Sequence, residues 1–226
     1  MAAKARNEPE ILTDRQKRFL DIVSKEPYLC RNYYFTGGTT LAAFYLHHRL
    51  SEDIDLFSEQ EVHLLTVRAF IKKAQKVMGA GAIDYRQFLG LHSFQLLFSK
   101  DGALKIDFNY YPFPRIEKGM KYKNITVDSM LDIAVNKVHT IAMKPRARDF
   151  IDLFFLVEKE KYNIHDLLMK AKAKFDWHID AIQLGSRLFQ ASDMTDYPRM
   201  LKPIEHRIWK EFFVHEARKL KKEILK

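Results

Sequence analysis

The spacing of apolar and polar positions changes period several times along the chain, and each change predicts an element. Thr13-Asp14-Arg15-Gln16 has the spacing of a capping box, and Phe19, Ile22 and Val23 continue it as an apolar stripe, so a helix is expected to begin here and stop near Pro27. Tyr33-Tyr34-Phe35-Thr36 reads as a strand, Gly37-Gly38 breaks it, and the Leu- and Ala-rich run from Thr39 to His48 reads as a helix. Asp53-Ile54-Asp55-Leu56-Phe57 then alternates with a period of two, and Val62 to Met78 returns to helical periodicity. Phe94 to Phe98 and Leu104 to Tyr110 are β-rich runs flanking Asp101-Gly102, a dipeptide suited to a tight hairpin. Pro112 and Pro114 cannot continue a central strand, because each removes a ladder donor, so the chain is expected to divide here, into residues 1–115 and 116–226. From Asp128 onward the pattern predicts helices over Met130 to Met143, Arg148 to Lys159, His165 to Phe175, Ile179 to Phe189 and Ile204 to the end. The fold class is α+β: a mixed-sheet domain with flanking helices, followed by an all-helical domain.

Composition narrows this picture. Of 226 residues, 47% are hydrophobic and 13% aromatic, too apolar for a disordered chain. Cys30 stands alone, which excludes an intramolecular disulfide and a multi-cysteine zinc site and points to a reducing compartment. No apolar run reaches the roughly 18 residues of a membrane span, and residues 1–10 lack a signal-like core, so a cytoplasmic protein with no membrane partner is expected. Lys and Arg number 38 against 29 Asp and Glu, a formal +9, and the excess is uneven: residues 1–111 carry net +2 and residues 112–226 net +7. Such a balance fits a polyanionic partner as well as it fits a soluble basic surface.

The candidate chemistry lies in three short segments. On a strand, Asp53 and Asp55 project from one face while Ile54 and Leu56 point to the core, so two carboxylates share a small volume that favours a hard cation such as Mg2+ or Mn2+. A bare Asp-x-Asp is common in surface loops, but here a glycine step that opens a helix precedes it. Gly37 and Gly38 let the backbone approach a phosphate, and Thr39 or Thr40 can add a hydroxyl; the bland alternative is an ordinary turn with a threonine cap. Asp107, in mid-strand between Lys105 and Asn109, supplies a third carboxylate if its strand lies beside that of Asp53 and Asp55; alternatively it is only the partner of Lys105. The histidines form no His-Glu-x-x-His pattern, and no Gly-x-x-x-x-Gly-Lys-Ser/Thr loop is present, which argues against zinc chemistry and a P-loop fold.

Together these residues resemble a known family. Tyr34-Phe35-Thr36-Gly37-Gly38-Thr39-Thr40-Leu41, Arg49-Leu50-Ser51-Glu52-Asp53-Ile54-Asp55-Leu56-Phe57, Lys137 and Arg146-Ala147-Arg148-Asp149-Phe150-Ile151-Asp152-Leu153 are similar to the AbiEii/AbiGii toxin nucleotidyltransferases of the DNA polymerase beta-like superfamily, over roughly residues 30–156. The stretch from Gly38 to Asp53 is slightly longer than in many superfamily members. The resemblance implies a catalytic domain and a helical domain with a nucleoside triphosphate between them. Asp53 and Asp55 would be metal ligands, and Gly37, Gly38, Thr39 and Ser51 would lie near the triphosphate. It makes Lys137 a phosphate ligand and Asp149 a functional acid. Read without it, Lys137 is a lysine interrupting the apolar stripe of Ala134 and Ile141, Asp149 an acid at a helix start, and Arg148 and Asp152 an i,i+4 pair.

The expected activity is transfer of a nucleoside monophosphate from a nucleoside triphosphate (NTP) to an acceptor hydroxyl, with Asp53, Asp55 and Asp107 holding divalent ions and pyrophosphate leaving. The acceptor class favoured by the resemblance is RNA, particularly a tRNA end, and a co-encoded antitoxin is a possible partner. Arg115, Lys118, Lys121 and Lys123, and further on Lys170, Lys172 and Lys174, are the candidate RNA-binding stretches, against a solvated face as the alternative. Competing readings are nucleotide transfer to a small molecule or a protein, and a catalytically silent RNA- or partner-binding module of the same fold.

Overall fold

Thr13 begins the ordered architecture as the capping box predicts: its side chain accepts from the Gln16 N–H while the Gln16 side chain accepts from the Thr13 N–H, and helix α1 runs Asp14–Val23. The computed structural model describes residues 11–99, 102–176, 178 and 181–224, without the side chains of 181 and 221–224. Residues 1–10, Asp101 of the hairpin dipeptide and Ile179 at the expected start of a helix lie outside the described residues. The first helical run ends at Val23, near Pro27 as expected, and Pro27 opens a second, α2 (Pro27–Asn32), in which its missing N–H falls at a position that has no intrahelical acceptor.

The chain forms two units. The first comprises residues 1–111 with 123–125, the second 112–122 with 126–226.

In the first unit β1 (Tyr34–Thr36) leads straight into α3 (Gly37–Leu41), which continues as a π-helical turn over Ala42–Leu46. The π turn closes with the His47 N–H on the Ala42 carbonyl at 3.0 Å, and His47 then turns the chain at φ 50°. A π turn takes up one more residue than an α turn, so this segment carries one residue more than a regular helix of the same number of turns. There follow β2 (Ile54–Ser58), α4 (Leu64–Met78), β3 (Ala82–Phe88), β4 (Leu91–Phe98) and β5 (Gly102–Tyr110). With the short β6 (Lys121–Tyr122) and β7 (Ile125–Val127) they give a seven-stranded sheet ordered β3-β4-β5-β2-β1-β7-β6. β4 and β5 pair antiparallel, as the hairpin reading predicts, and β2 pairs antiparallel with β1 but parallel with β5, so the sheet is mixed. Alternation along β2 buries Ile54 and Leu56 completely and leaves Asp55 on the other face. Phe19, Phe35, Phe94, Ile106 and Phe108 join them in the core, each full burial of such a side chain contributing about 1.5–3 kcal/mol.

The second unit is helical, as expected, except that β6, most of β7 and the turn-rich segment from 112 precede the helices. Its helices are α5 (Met130–Met143), α6 (Ala147–Glu160), α7 (Ile164–Phe175), α8 (Ala181–Phe189) and α9 (His206–Ile224). Ser129 caps α5 by accepting from the Asp132 N–H, and Asn163 caps α7 by accepting from the N–H groups of His165 and Asp166. Phe150, Trp209 and Phe213 are fully buried and packed ring against ring, with centroids 4.9 Å apart for Phe150 and Phe213. Polar groups are buried in this unit as well. Asp132, fully buried, accepts from the N–H groups of Ile116 at 2.8 Å and Glu117 at 3.1 Å and from Lys174 Nζ at 2.7 Å. Lys174 is therefore an internal counter-charge, its side chain 2% exposed, and it drops out of the basic stretch the sequence suggested for RNA; Lys170 remains exposed.

Candidate active site

The glycine step and the two acidic strands of the first unit converge by backbone geometry. In the parallel pairing of β2 with β5, Asp55 stands opposite Asp107 and Ile54 opposite Ile106. Side chains in register on neighbouring strands project from the same face, so Asp107 shares a face with Asp55. Asp53 sits just before β2, half-exposed like Asp55, whereas Asp107 is almost fully buried.

Gly37 lies against this group. Its φ is +80°, a backbone conformation that disfavours any side chain, and a Cβ placed there would lie 2.3 Å from Asp55 Oδ2. Gly38 makes a second close approach, for its Cβ would fall 2.3 Å from the guanidinium of Arg49. Arg49 is buried and donates to the Leu50 carbonyl at 2.9 Å. Gly37→Ala should therefore cost about 1–3 kcal/mol and displace Asp55, visible as a lowered Tm together with a larger loss of activity than the stability change explains.

The loop carrying Ser51 and Asp53 is tied from two sides. Thr39, fully buried, donates from Oγ1 to the Asp53 carbonyl at 2.5 Å and lies 2.8 Å from Ser51 Oγ, while Gln16 of α1 donates to the Ser51 carbonyl at 3.1 Å. The Thr39 hydroxyl thus fixes where the first acid stands; the capping residue Gln16 does the same work from the other side.

Electrostatically, three carboxylates this close repel one another unless a cation intervenes. Within the chain that cation is Lys105, whose Nζ lies 2.7 Å from Asp107 Oδ2 and 3.2 Å from Asp53 Oδ2. Burial works against the charge on Lys105, but the hydrogen bonds and charges of Asp107 and Asp53 outweigh it, holding the ammonium above the usual lysine range. Both readings of Asp107 are thereby realised: it belongs to the acid group and it pairs with Lys105. Among the described residues no three His, Cys, Asp or Glu side chains stand close enough as a set to grip a metal ion. The donors nevertheless suit one. All are hard carboxylate oxygens, and Asp107 Oδ1 is buried with no hydrogen-bond partner among the described residues, an oxygen left available for a cation or a proton donor. Sequence reasoning passed over Arg49 and Lys105 as site residues, although both lie inside segments it singled out: Arg49 opens the Arg-x-Ser-x-Asp-x-Asp run, and Lys105 is two residues from Asp107 on the same strand face.

Lys137 and Asp149 fall in the second unit, in a cluster of their own. Lys137 Nζ, on α5, lies 2.7 Å from Asp149 Oδ1 and 2.6 Å from Asp152 Oδ2, both on α6, and Arg146 Nε lies 2.9 Å from Asp149 Oδ2. Both acids are buried, as is the lysine. Burial alone would raise the Asp149 carboxyl, but Lys137 and Arg146 outweigh it and hold it below the usual carboxylate range. Asp149 stands in the first turn of α6, where an acid at a helix start was read, and Lys137 is held between it and Asp152 across two helices.

A mixed sheet with a Gly-Gly step and acids in register on adjacent strands is the architecture of a nucleotidyltransferase, and solved structures share the fold. A Helicobacter pylori protein proposed to be a nucleotidyltransferase superposes with a TM-score of 0.58 at 19% identity, covering 94% of this chain and 97% of its own. Another Helicobacter pylori protein, JHP933, gives 0.55 at 16% identity over 92% and 90%. An uncharacterised protein of Aquifex aeolicus (strain VF5) is 30% identical over 151 residues, 65% of this chain and 68% of its own length. Residues 18–210 match the family model of the nucleotidyl transferase AbiEii toxin of type IV toxin–antitoxin systems. The chain belongs to the AbiEii family and is a nucleotidyltransferase. Among the described residues no helix is long and apolar enough to cross a membrane.

Proposed function

We propose that the chain moves a nucleoside monophosphate from an NTP to a hydroxyl of RNA, with the end of a tRNA as the acceptor, and that it does so as the toxin of a toxin–antitoxin pair. The observation that carries the reading is the placement of Asp55 and Asp107 opposite each other on parallel strands, with Asp53 beside them and the bare backbone of Gly37 against Asp55. Asp53, Asp55 and Asp107 would hold Mg2+ or Mn2+, which when bound neutralises charge on the phosphates and makes the acceptor hydroxyl more acidic. Gly37 and Gly38, without side chains, leave room for the triphosphate to approach the backbone, and Thr39 keeps Ser51 and Asp53 in place beside it. The unpartnered Asp107 Oδ1 is the acceptor for the hydroxyl proton. Lys137, paired with Asp149 and Asp152, and Asp149 itself keep the phosphate-ligand and acidic roles that the family resemblance gives them. The net +7 of residues 112–226 supports a polyanionic acceptor.

Incubation of the protein with each labelled NTP, Mg2+ and total RNA tests this directly. Label is expected in RNA, concentrated in the tRNA fraction, and absent when Asp55 is replaced by Asn. Label in protein or in a small molecule, with RNA unlabelled, transfers the reading to that acceptor; NTP binding without any transfer would make the chain a silent binding module.

A further inference from the structure

We propose that Lys105 is a positioning residue that keeps divalent ions out of the acid group until a nucleotide arrives; this rests on the metal-dependent reading above. Three observations carry it. Lys105 Nζ contacts Asp107 Oδ2 at 2.7 Å and Asp53 Oδ2 at 3.2 Å, bridging two of the three carboxylates. Among the described residues the acids do not stand as a three-ligand set, and the ammonium lies against two of them. Yet Asp107, 6% exposed, keeps Oδ1 buried and without a partner among the described residues, so the ammonium satisfies only one side of this carboxylate.

A carboxylate oxygen cannot face a divalent ion and an ammonium across the same small gap without repulsion between the two cations. Metal loading therefore displaces Lys105 from Asp53 and Asp107. In the protein alone the displaced ammonium gives up both carboxylate contacts, and the exchange is unfavourable. When a nucleoside triphosphate is present its phosphates carry several negative charges, and the released ammonium has a new counter-ion. Metal and nucleotide thus bind with positive coupling, and by linkage the coupling is reciprocal. Lys105 lies on β5 between buried Leu104 and Ile106, so its backbone is fixed while its side chain, about a third exposed, is able to swing. The consequence is a site that stays closed to free metal ions and assembles only around a metal–nucleotide pair.

The test is Mn2+ binding, read by electron paramagnetic resonance, to the full chain with and without a non-hydrolysable NTP analogue. The wild type is compared with Lys105→Met, Lys105→Gln, Lys105→Arg and Asp107→Asn. The neutral variants should bind Mn2+ alone about tenfold more tightly than wild type and show a correspondingly weaker effect of the analogue, while Lys105→Arg should behave as wild type. Having two neutral variants keeps the test open if one fails to fold. Equal or weaker Mn2+ binding in both neutral variants, with binding still lost in Asp107→Asn, would overturn the role of Lys105 and leave the metal-dependent reading standing. Mn2+ binding that no variant alters, Asp107→Asn included, would overturn both.

Discussion

Asp55→Asn and Asp107→Asn will each lower nucleotide transfer by at least about a thousandfold while leaving the Tm within a few degrees of wild type. The two carboxylates are opposed in register on the parallel pair, so each substitution removes one charged oxygen from the same small volume without altering side-chain size. Neither is required by the core: the inward residues at these positions are Ile54, Leu56, Ile106 and Phe108, which remain. The loss should fall on kcat more than on KM, since the acids act on charge that develops as the phosphate bond changes. Transfer assays at saturating NTP, alongside thermal unfolding of the same preparations, check both halves of the statement. A parallel fall in Tm and activity would instead make the acids structural.

The largest effect on stability should come from Lys174→Ala, far from the glycine step in sequence. Removing Lys174 leaves the fully buried Asp132 with the backbone donors of Ile116 and Glu117 and the Ser129 hydroxyl but no counter-charge from Lys174, and breaking a buried pair in this way costs about 3–5 kcal/mol. The double change Lys174→Met with Asp132→Asn should recover much of that, because no buried charge is left uncompensated. The pH dependence gives an independent reading. Burial alone would raise the Asp132 carboxyl, but Lys174 and the two N–H groups outweigh it and hold it below the usual range. A carboxyl depressed in the folded state stabilises at pH above its unfolded value of roughly 4 and loses that contribution as the pH falls further. Urea titrations between pH 3 and 7 should therefore show wild-type stability dropping below about pH 4, and a flatter acid branch in Lys174→Ala.

What the sequence disclosed followed the range of the interactions. The capping box of Thr13 and Gln16, the alternation of Ile54, Asp55 and Leu56 and the strand bearing Lys105 and Asp107 are patterns within a few residues and appear in the structure, although β2 begins one residue after Asp53. Strand β3 was not foreseen. It lies at the sheet edge, where Arg86, Gln87 and Phe88 are exposed, so no inward–outward contrast marks it. The hairpin of β6 and β7 is built from two- and three-residue strands, too short to carry a period. Long-range polar pairs were hidden for another reason. Lys170, Lys172 and Lys174 look alike as a basic run, and only Asp132, 42 residues earlier, distinguishes Lys174 from the others. Likewise Lys137 meets Asp149 and Asp152 because two helices pack, a contact that neither helix shows by itself.

The parallel pairing of β2 with β5 also sets a time at which the enzyme can exist. An antiparallel partner is reached by a short turn, but a parallel one requires the chain to travel back, here through α4, β3 and β4, before Asp107 stands opposite Asp55. A nascent chain that has not yet delivered β5 from the ribosome holds Asp53 and Asp55 without their third carboxylate and without Lys105. Asp53 and Asp55 are thus made well before the acid group is complete, and on the reading proposed above an incomplete product of synthesis is inert by topology alone.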